Sequence, residues 1–204
     1  ATLSRGYKRK TVGFAIADSD TTALEIGDEP MQFHQKFPDV AVAVGEERIV
    51  AIPQLLQHRP ETEVIILDDA FQHRQVNAGL NIMLTDYSDL YTRDFILPAG
   101  DLRDVRSSSK RAGIIIVTKC PPGLPVEEKN AIIAEINPAP GQTVYFTTID
   151  YGKPYHLFTK ATIDITPGHG ILLVCGIANP RPLKEYLAKI ADSYDMLRFA
   201  DHHI

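Results

Sequence analysis

The chain has 204 residues, 44% of them hydrophobic and 23% charged, with a formal net charge of -5. That length supports a sizeable core in one large domain or two small ones, and the balance excludes a disordered tail and argues against broad nucleic-acid binding. Cys120 and Cys175 are too few for a disulfide framework and sit at no zinc spacing, so buried thiols in a reducing compartment are expected; no apolar stretch approaches bilayer length and no signal peptide is visible.

In chain order, "ATLSRGY" reads as a strand already under way at residue 1, so the chain is expected to be a fragment. The basic run Arg5, Lys8, Arg9 and Lys10 is either a solvated end or a phosphate-facing patch. "EIGDEP" at 25–30 forms a polar corner at the start of a helix predicted over 28–36. Apolar runs at 40–44, 64–67, 80–84, 114–117 and 171–175 read as strands, and further helices are predicted over 46–58, 126–136 and 181–192. The last of these opens at "NPRP", where Asn179 can cap and Pro180 suits the first turn. Continuous rather than alternating hydrophobicity predicts strands covered on both faces, hence a mostly parallel sheet. The β-branched and aromatic residues flanking "YGKP" within 143–165 predict a hairpin. The expected fold is therefore α/β: a core of mostly parallel sheet with flanking helices over 1–142, a two-stranded β linker over 143–166, and part of a second, smaller α/β domain over 167–204.

Three clusters carry candidate chemistry. Asp68 and Asp69 stand at the carboxyl end of the strand "VIIL", where open parallel sheets bind ligands. An apolar strand closing on Asp is what a Walker B element looks like, with the carboxylate serving Mg²⁺ beside nucleotide phosphates; the plainer reading makes one Asp a turn cap and the other solvated. Asp28 and Glu29, between Gly27 and Pro30, could supply a base, a cap or only solubility. "FADHH" places Asp201, His202 and His203 after an apolar run, as metal ligands, as an imidazole oriented by a carboxylate for acid–base work, or as exposed loop residues.

Taken together and in order, "LSRGYKRK", "GDEP", "VAVGEER", "VIILDDAFQHR", "ILPAGDLRD", "VCGIANP" and "FADHH" resemble the tetraacyldisaccharide 4'-kinases, the lipid A 4'-kinases of Gram-negative bacteria. The resemblance runs over essentially the whole chain. It implies a P-loop NTPase fold of two α/β/α domains joined by a β linker. The implied activity, with ATP and Mg²⁺, is transfer of the γ-phosphoryl group to the 4'-hydroxyl of a lipid A disaccharide 1-phosphate precursor at the cytoplasmic face of the inner membrane. It implies that Asp28 and His202 are the catalytic pair, that Asp68 and Asp69 serve Mg²⁺ and nucleotide, and that Glu29 lies near the metal. Gln72, His73, Arg48 and Arg103 would line the phosphate or sugar sites, with Arg5 and Tyr7 close to the reacting phosphates. The sequence G-x-x-x-x-G-K-[ST] is missing from the chain. In the resembled family that loop precedes "LSRGY", together with an apolar helix that holds the enzyme on the membrane. Little activity is therefore expected of these 204 residues alone.

Two other readings compete. A metal-dependent phosphoesterase could use Asp68, Asp69, His73, His202 and His203 to activate water, although "DSD" at 18–20 is a thin match to the acidic motifs such enzymes need. A non-catalytic α/β binding module is the third.

Overall fold

The computed structural model describes residues 1–166, 168–177 and 179–199. The chain forms two compact units, Ala1–Asp68 with Tyr151–Ile204, and Asp69–Asp150.

In the first unit, strands β1 (Thr2–Ser4), β2 (Ala15–Ile16), β3 (Val42–Val44) and β4 (Ile66–Leu67) make a sheet ordered β2-β3-β1-β4. β1 runs parallel to both β3 and β4, while β2 is antiparallel to β3. Helices α1 (Ala23–Ile26) and α2 (Asp28–Lys36) lie between β2 and β3 in sequence, and α3 (Arg48–His58) between β3 and β4. Local chemistry starts and stops them. The Thr22 N–H donates to the Glu25 carboxylate at 2.8 Å, as a Thr-x-x-Glu helix entry does. α2 carries Asp28 and Glu29 in its first turn and His34 and Lys36 in its last, complementing the helix dipole.

Side chains alternate across β3, so its two faces build two cores. Ala43 joins Leu3, Ala51 and Leu55 on the α3 side, and Val42 and Val44 join Ala17 and Ile26, with Met31 and Phe33 of α2, on the other. Both faces of β3 are thus covered, as its continuous apolar run predicted. Later in the same unit, β8 (Leu172–Cys175) pairs in parallel with β9 (Asp195–Arg198), and α5 (Arg181–Ile190) packs Leu187 against Leu173 and Cys175.

The second unit is a parallel sheet of β5 (Ile82–Asp86), β6 (Ile114–Thr118) and β7 (Thr143–Phe146), with helix α4 (Val126–Ile136) between the last two. Its core gathers Leu90, Ile115, Val117, Cys120, Ile132 and Ile136. Cys120 and Cys175 are both buried free thiols, as expected, and burial pushes the Cys120 thiol up from its ordinary pKa.

Mostly parallel α/β architecture is what the sequence predicted, but three expectations change. The first half of the predicted hairpin, Thr143–Phe146, is instead the third strand of a parallel sheet, and the antiparallel contact lies further on, as a bridge between Tyr155 and Thr162. The runs at 64–67, 80–84 and 171–175 alternate in burial rather than being covered on both faces: Ile66 is 62%, Leu84 65% and Leu172 59% exposed. α5 starts at Arg181 as predicted, with the Asn179 side chain accepting the Arg181 N–H at 3.1 Å, but it ends at Ile190, two residues short of the predicted 192.

A surface cluster in the second unit gives a pH prediction. Arg74 donates to both oxygens of Asp104 at 3.0 and 2.7 Å, and with the Ser108 hydroxyl and the Val105 N–H it holds the Asp104 carboxyl down at about 2. A carboxyl depressed in the folded state contributes stability that is present above its unfolded pKa of about 3.9 and is lost as pH falls through about 2. Carboxyl-carbon NMR titration is expected to give a midpoint near that value in the native protein and to move it upward in Arg74→Ala; an unchanged midpoint in the variant counts against the pairing.

Candidate functional site

Because β1, β3 and β4 run parallel, their carboxyl ends share one edge of the sheet, the place where such sheets bind ligands. β1 leads into Arg5-Gly6-Tyr7, β3 into Gly45-Glu46-Glu47 and then α3, and β4 into Asp68. Arg5 and Tyr7 are exposed there. Ser4, the last residue of β1, is buried with its hydroxyl lacking a hydrogen-bond partner among the described residues.

The Gly-Asp-Glu corner reaches this edge through two glycines. A side-chain carbon on Gly27 would meet the Tyr7 carbonyl oxygen at 3.1 Å and Gly6 at 3.4 Å, and one on Gly6 would meet the Ile26 carbonyl oxygen at 2.8 Å. The two backbones are in contact, which brings the first turn of α2 against the loop that follows β1. Gly27 has φ 96 and ψ 161, a region that essentially only glycine occupies. Asp28 then opens α2, its Oδ1 accepting the Glu29 N–H at 3.0 Å. Gly27→Ala is expected to lose about 2 kcal/mol of stability, from backbone strain and the Tyr7 clash. Thermal denaturation within experimental error of wild type contradicts that geometry.

Arg48 behaves differently from a surface ligand. At 1% exposure it is buried, and its guanidinium donates to the carbonyl oxygens of Gly45, of Glu46 at 3.4 Å and of Asp68 at 3.4 Å. It therefore ties the carboxyl ends of β3 and β4 together. Arg9 likewise departs from both readings of the basic run. Its side chain is 2% exposed and paired with Glu46 at 2.5 Å, so it is neither solvated nor a surface patch. The sequence marks this pair only by an Arg and a Glu that each lie near a glycine corner.

Arg5, Tyr7, Asp28, Glu29, Arg48 and Asp68 thus lie on elements that meet at one edge of the first unit's sheet. Asp69, Gln72, His73 and Arg103 belong to the second unit. Asp69 adopts φ 44, and its carboxylate lies 3.8 Å from Arg103. Gln72 is exposed and His73 half-buried, in a turn where the His73 N–H donates to the Ala70 carbonyl at 2.9 Å. Arg111 holds the adjoining Phe71, donating to its carbonyl at 2.9 Å and stacking on its ring at 4.3 Å. Asp201, His202 and His203 lie outside the described residues.

Among the described residues, the three acidic groups whose oxygens come within 4.8 Å of one another are Asp89, Asp94 and Asp101, which neither enzyme reading selected. Asp94 is occupied there in shaping its own loop, accepting the N–H groups of Phe95 at 2.7 Å and Asp101 at 3.1 Å. Asp68 and Glu29 offer hard oxygen donors of the kind Mg²⁺ takes. Mg²⁺ is commonly held by one or two carboxylates with phosphates completing its shell, so donors on separate corners fit it better than a closed protein cage would. No helix among the described residues is long and apolar enough to cross a membrane.

Fold and edge together define a mostly parallel α/β protein with glycine-shaped, acid- and arginine-bearing loops at the carboxyl ends of its strands. The chain belongs to the tetraacyldisaccharide-1-P 4'-kinase family, whose model matches residues 1–204. It is 48% identical over 204 residues to the tetraacyldisaccharide 4'-kinase of Flavobacterium johnsoniae, covering 100% of this chain and 59% of that protein. Relatives of the same name in Phocaeicola vulgatus and Bacteroides thetaiotaomicron are each 46% identical, over 209 and 215 residues, again with all of this chain and 57% of theirs. The chain therefore spans less than three fifths of the length of these relatives. No solved structure shows a significant match to it.

Proposed function

We propose that this chain is part of a P-loop-type kinase that uses ATP and Mg²⁺ to phosphorylate the 4'-hydroxyl of a lipid A disaccharide 1-phosphate precursor, at the cytoplasmic face of a Gram-negative inner membrane. The observation that carries the reading is the contact of Gly27 with Gly6 and Tyr7, since it seats an Asp-Glu pair at the carboxyl edge of a parallel sheet. Family membership over the whole chain supports the same conclusion.

ATP with Mg²⁺ supplies the phosphoryl group and neutralises charge as it transfers. The chain's own residues do the rest. Asp28 accepts the proton of the sugar hydroxyl, with His202 as its partner in that transfer, so that oxygen attacks in line. Glu29, Asp68 and Asp69 are the carboxylates that would hold Mg²⁺, with Gln72 on the nucleotide. Arg5 and Tyr7 face the reacting phosphates, and His73 and Arg103 the sugar or its 1-phosphate. Arg48, which would line the phosphate or sugar site, also ties the carboxyl ends of β3 and β4 together through its main-chain partners.

The test uses the full-length protein with γ-labelled ATP, Mg²⁺ and the disaccharide 1-phosphate. Label moving to the lipid supports the kinase. Phosphate leaving the lipid without ATP, in the presence of a transition metal, would establish the phosphoesterase instead, and nucleotide binding with neither reaction would establish a binding module.

A further inference from the structure

Arg9 carries its charge into the interior of the first unit. Its guanidinium donates to Glu46 Oε1 and to the Gly13 carbonyl, both at 2.5 Å, and to the Thr11 hydroxyl at 3.1 Å. The second Glu46 oxygen accepts the Gly13 N–H at 3.0 Å. Burial pushes the Glu46 carboxyl up, and the hydrogen bond from Arg9, the main-chain N–H groups and the Arg9 charge outweigh it, leaving the group below its ordinary pKa. From the same loop, the Thr11 hydroxyl donates to the Glu25 carbonyl and the Lys10 N–H to the Leu24 carbonyl at 2.8 Å, both on α1.

The stem of Arg9 matters as much as its head. A side-chain carbon on Gly6 would stand 2.5 Å from Arg9 Cδ and 3.0 Å from Nε, so the stem fills the space beneath Gly6. Gly6 in turn rests on Ile26 and Gly27, immediately before Asp28. One side chain therefore touches the loop of Arg5 and Tyr7 from below and grips the β3–α3 corner through Glu46. The Gly-Asp-Glu corner sits directly on the glycine that this stem supports.

With the Arg9 side chain buried but Glu46 38% exposed, the ion pair itself contributes little to stability, whereas the forked geometry of the guanidinium fixes orientation well. We infer that Arg9, latched by Glu46, is a positioning residue that sets the Asp28 corner against the Arg5–Tyr7 loop. This rests on the kinase reading above. Misplacing a reacting group by about 1 Å can cost about a hundredfold in rate, so loosening this stack lowers turnover more than it weakens nucleotide binding.

The experiment compares Arg9→Met, Arg9→Lys and Glu46→Gln in the full-length protein, measuring kcat, KM for ATP, thermal stability and amide hydrogen exchange. Arg9→Met is expected to lower kcat about tenfold or more while KM for ATP stays within about twofold, and to speed exchange about tenfold at residues 6–13 and 27–29 with Leu3 and Val44 unaffected. Arg9→Lys restores part of kcat, since one ammonium reaches Glu46 but cannot also hold Gly13 and Thr11. Glu46→Gln falls between wild type and Arg9→Met. If Arg9→Met is too unstable to assay, the two milder variants carry the same comparison. Wild-type kcat and loop exchange in the variants, even with lowered thermal stability, overturn the inference, as does acceleration spread evenly over the sheet. A wild-type protein that transfers no phosphoryl group defeats the kinase reading alone, because loop exchange still decides whether the latch exists.

Discussion

Asp28→Ala in the full-length protein is expected to reduce kcat by about a thousandfold, equivalent to about 4 kcal/mol of transition-state stabilisation, while leaving nucleotide affinity largely intact. Gly27 takes a conformation open only to glycine, α2 starts at the next residue, and the carboxylate of Asp28 is therefore held on a helix end rather than on a free loop. An acceptor so fixed can take the proton of a sugar hydroxyl without reorganising at the moment of attack. Asp28→Asn separates this role from a merely structural one, since the amide oxygen still accepts the Glu29 N–H but cannot take up the proton. It is expected to lose turnover to a similar degree with unchanged thermal stability. His202→Ala should show a loss of the same order if it shares the proton. Near-normal turnover in either variant removes that residue from the mechanism.

The largest expected effect on stability falls on Arg48. Replacing it with Met fills much of the same volume yet leaves the carbonyl oxygens of Gly45, Glu46 and Asp68 without the guanidinium that serves them. The bond to Gly45 is buried and those to Glu46 and Asp68 part-buried; a buried acceptor so deprived costs about 1–3 kcal/mol and a part-buried one less, and some of that returns through water and through desolvation of the charge no longer needed. A net loss of about 3 kcal/mol is the expected result in chemical denaturation, with the slope unchanged if the unfolded state is unaffected. The β3 and β4 ends also lose their tie, so activity should fall further than the unfolded fraction explains. A loss below about 0.5 kcal/mol, the range of ordinary surface substitutions, is incompatible with the buried position.

These two residues also mark how far the sequence could be read. Helices 28–36 and 126–136 came out with their observed bounds, because end signals are local: Gly27, the acidic first turn and Pro30 open one, and Asn137 in a left-handed conformation closes the other. The corner bearing Asp28 was visible for the same reason. Strand partners were not. "TVYF" has the composition of any strand, and nothing in its own residues says whether it turns back as a hairpin or lies beside β6. Coverage of the faces misled in the same way, since "LNIML" is apolar but for Asn81 and "ILLVC" is apolar throughout, and only the packing leaves Leu84 and Leu172 exposed. Arg9 and Arg48 were least legible of all. Arginine is ordinarily a surface residue, and their partners are main-chain carbonyls, the Thr11 hydroxyl and one carboxylate 37 residues away, which residue type alone cannot reveal.

The central claim is that the carboxyl edge of the β3-β1-β4 sheet, with the Gly-Asp-Glu corner on it, faces the nucleotide phosphates. Paramagnetic broadening of backbone amide signals by Mn²⁺–ATP in the full-length protein reads this directly. The account predicts the strongest loss of signal at Gly6, Tyr7, Asp28, Glu29, Gly45 and Asp68. Broadening centred on Thr2, Ala41 and Ile65, at the opposite ends of the same strands, would contradict it.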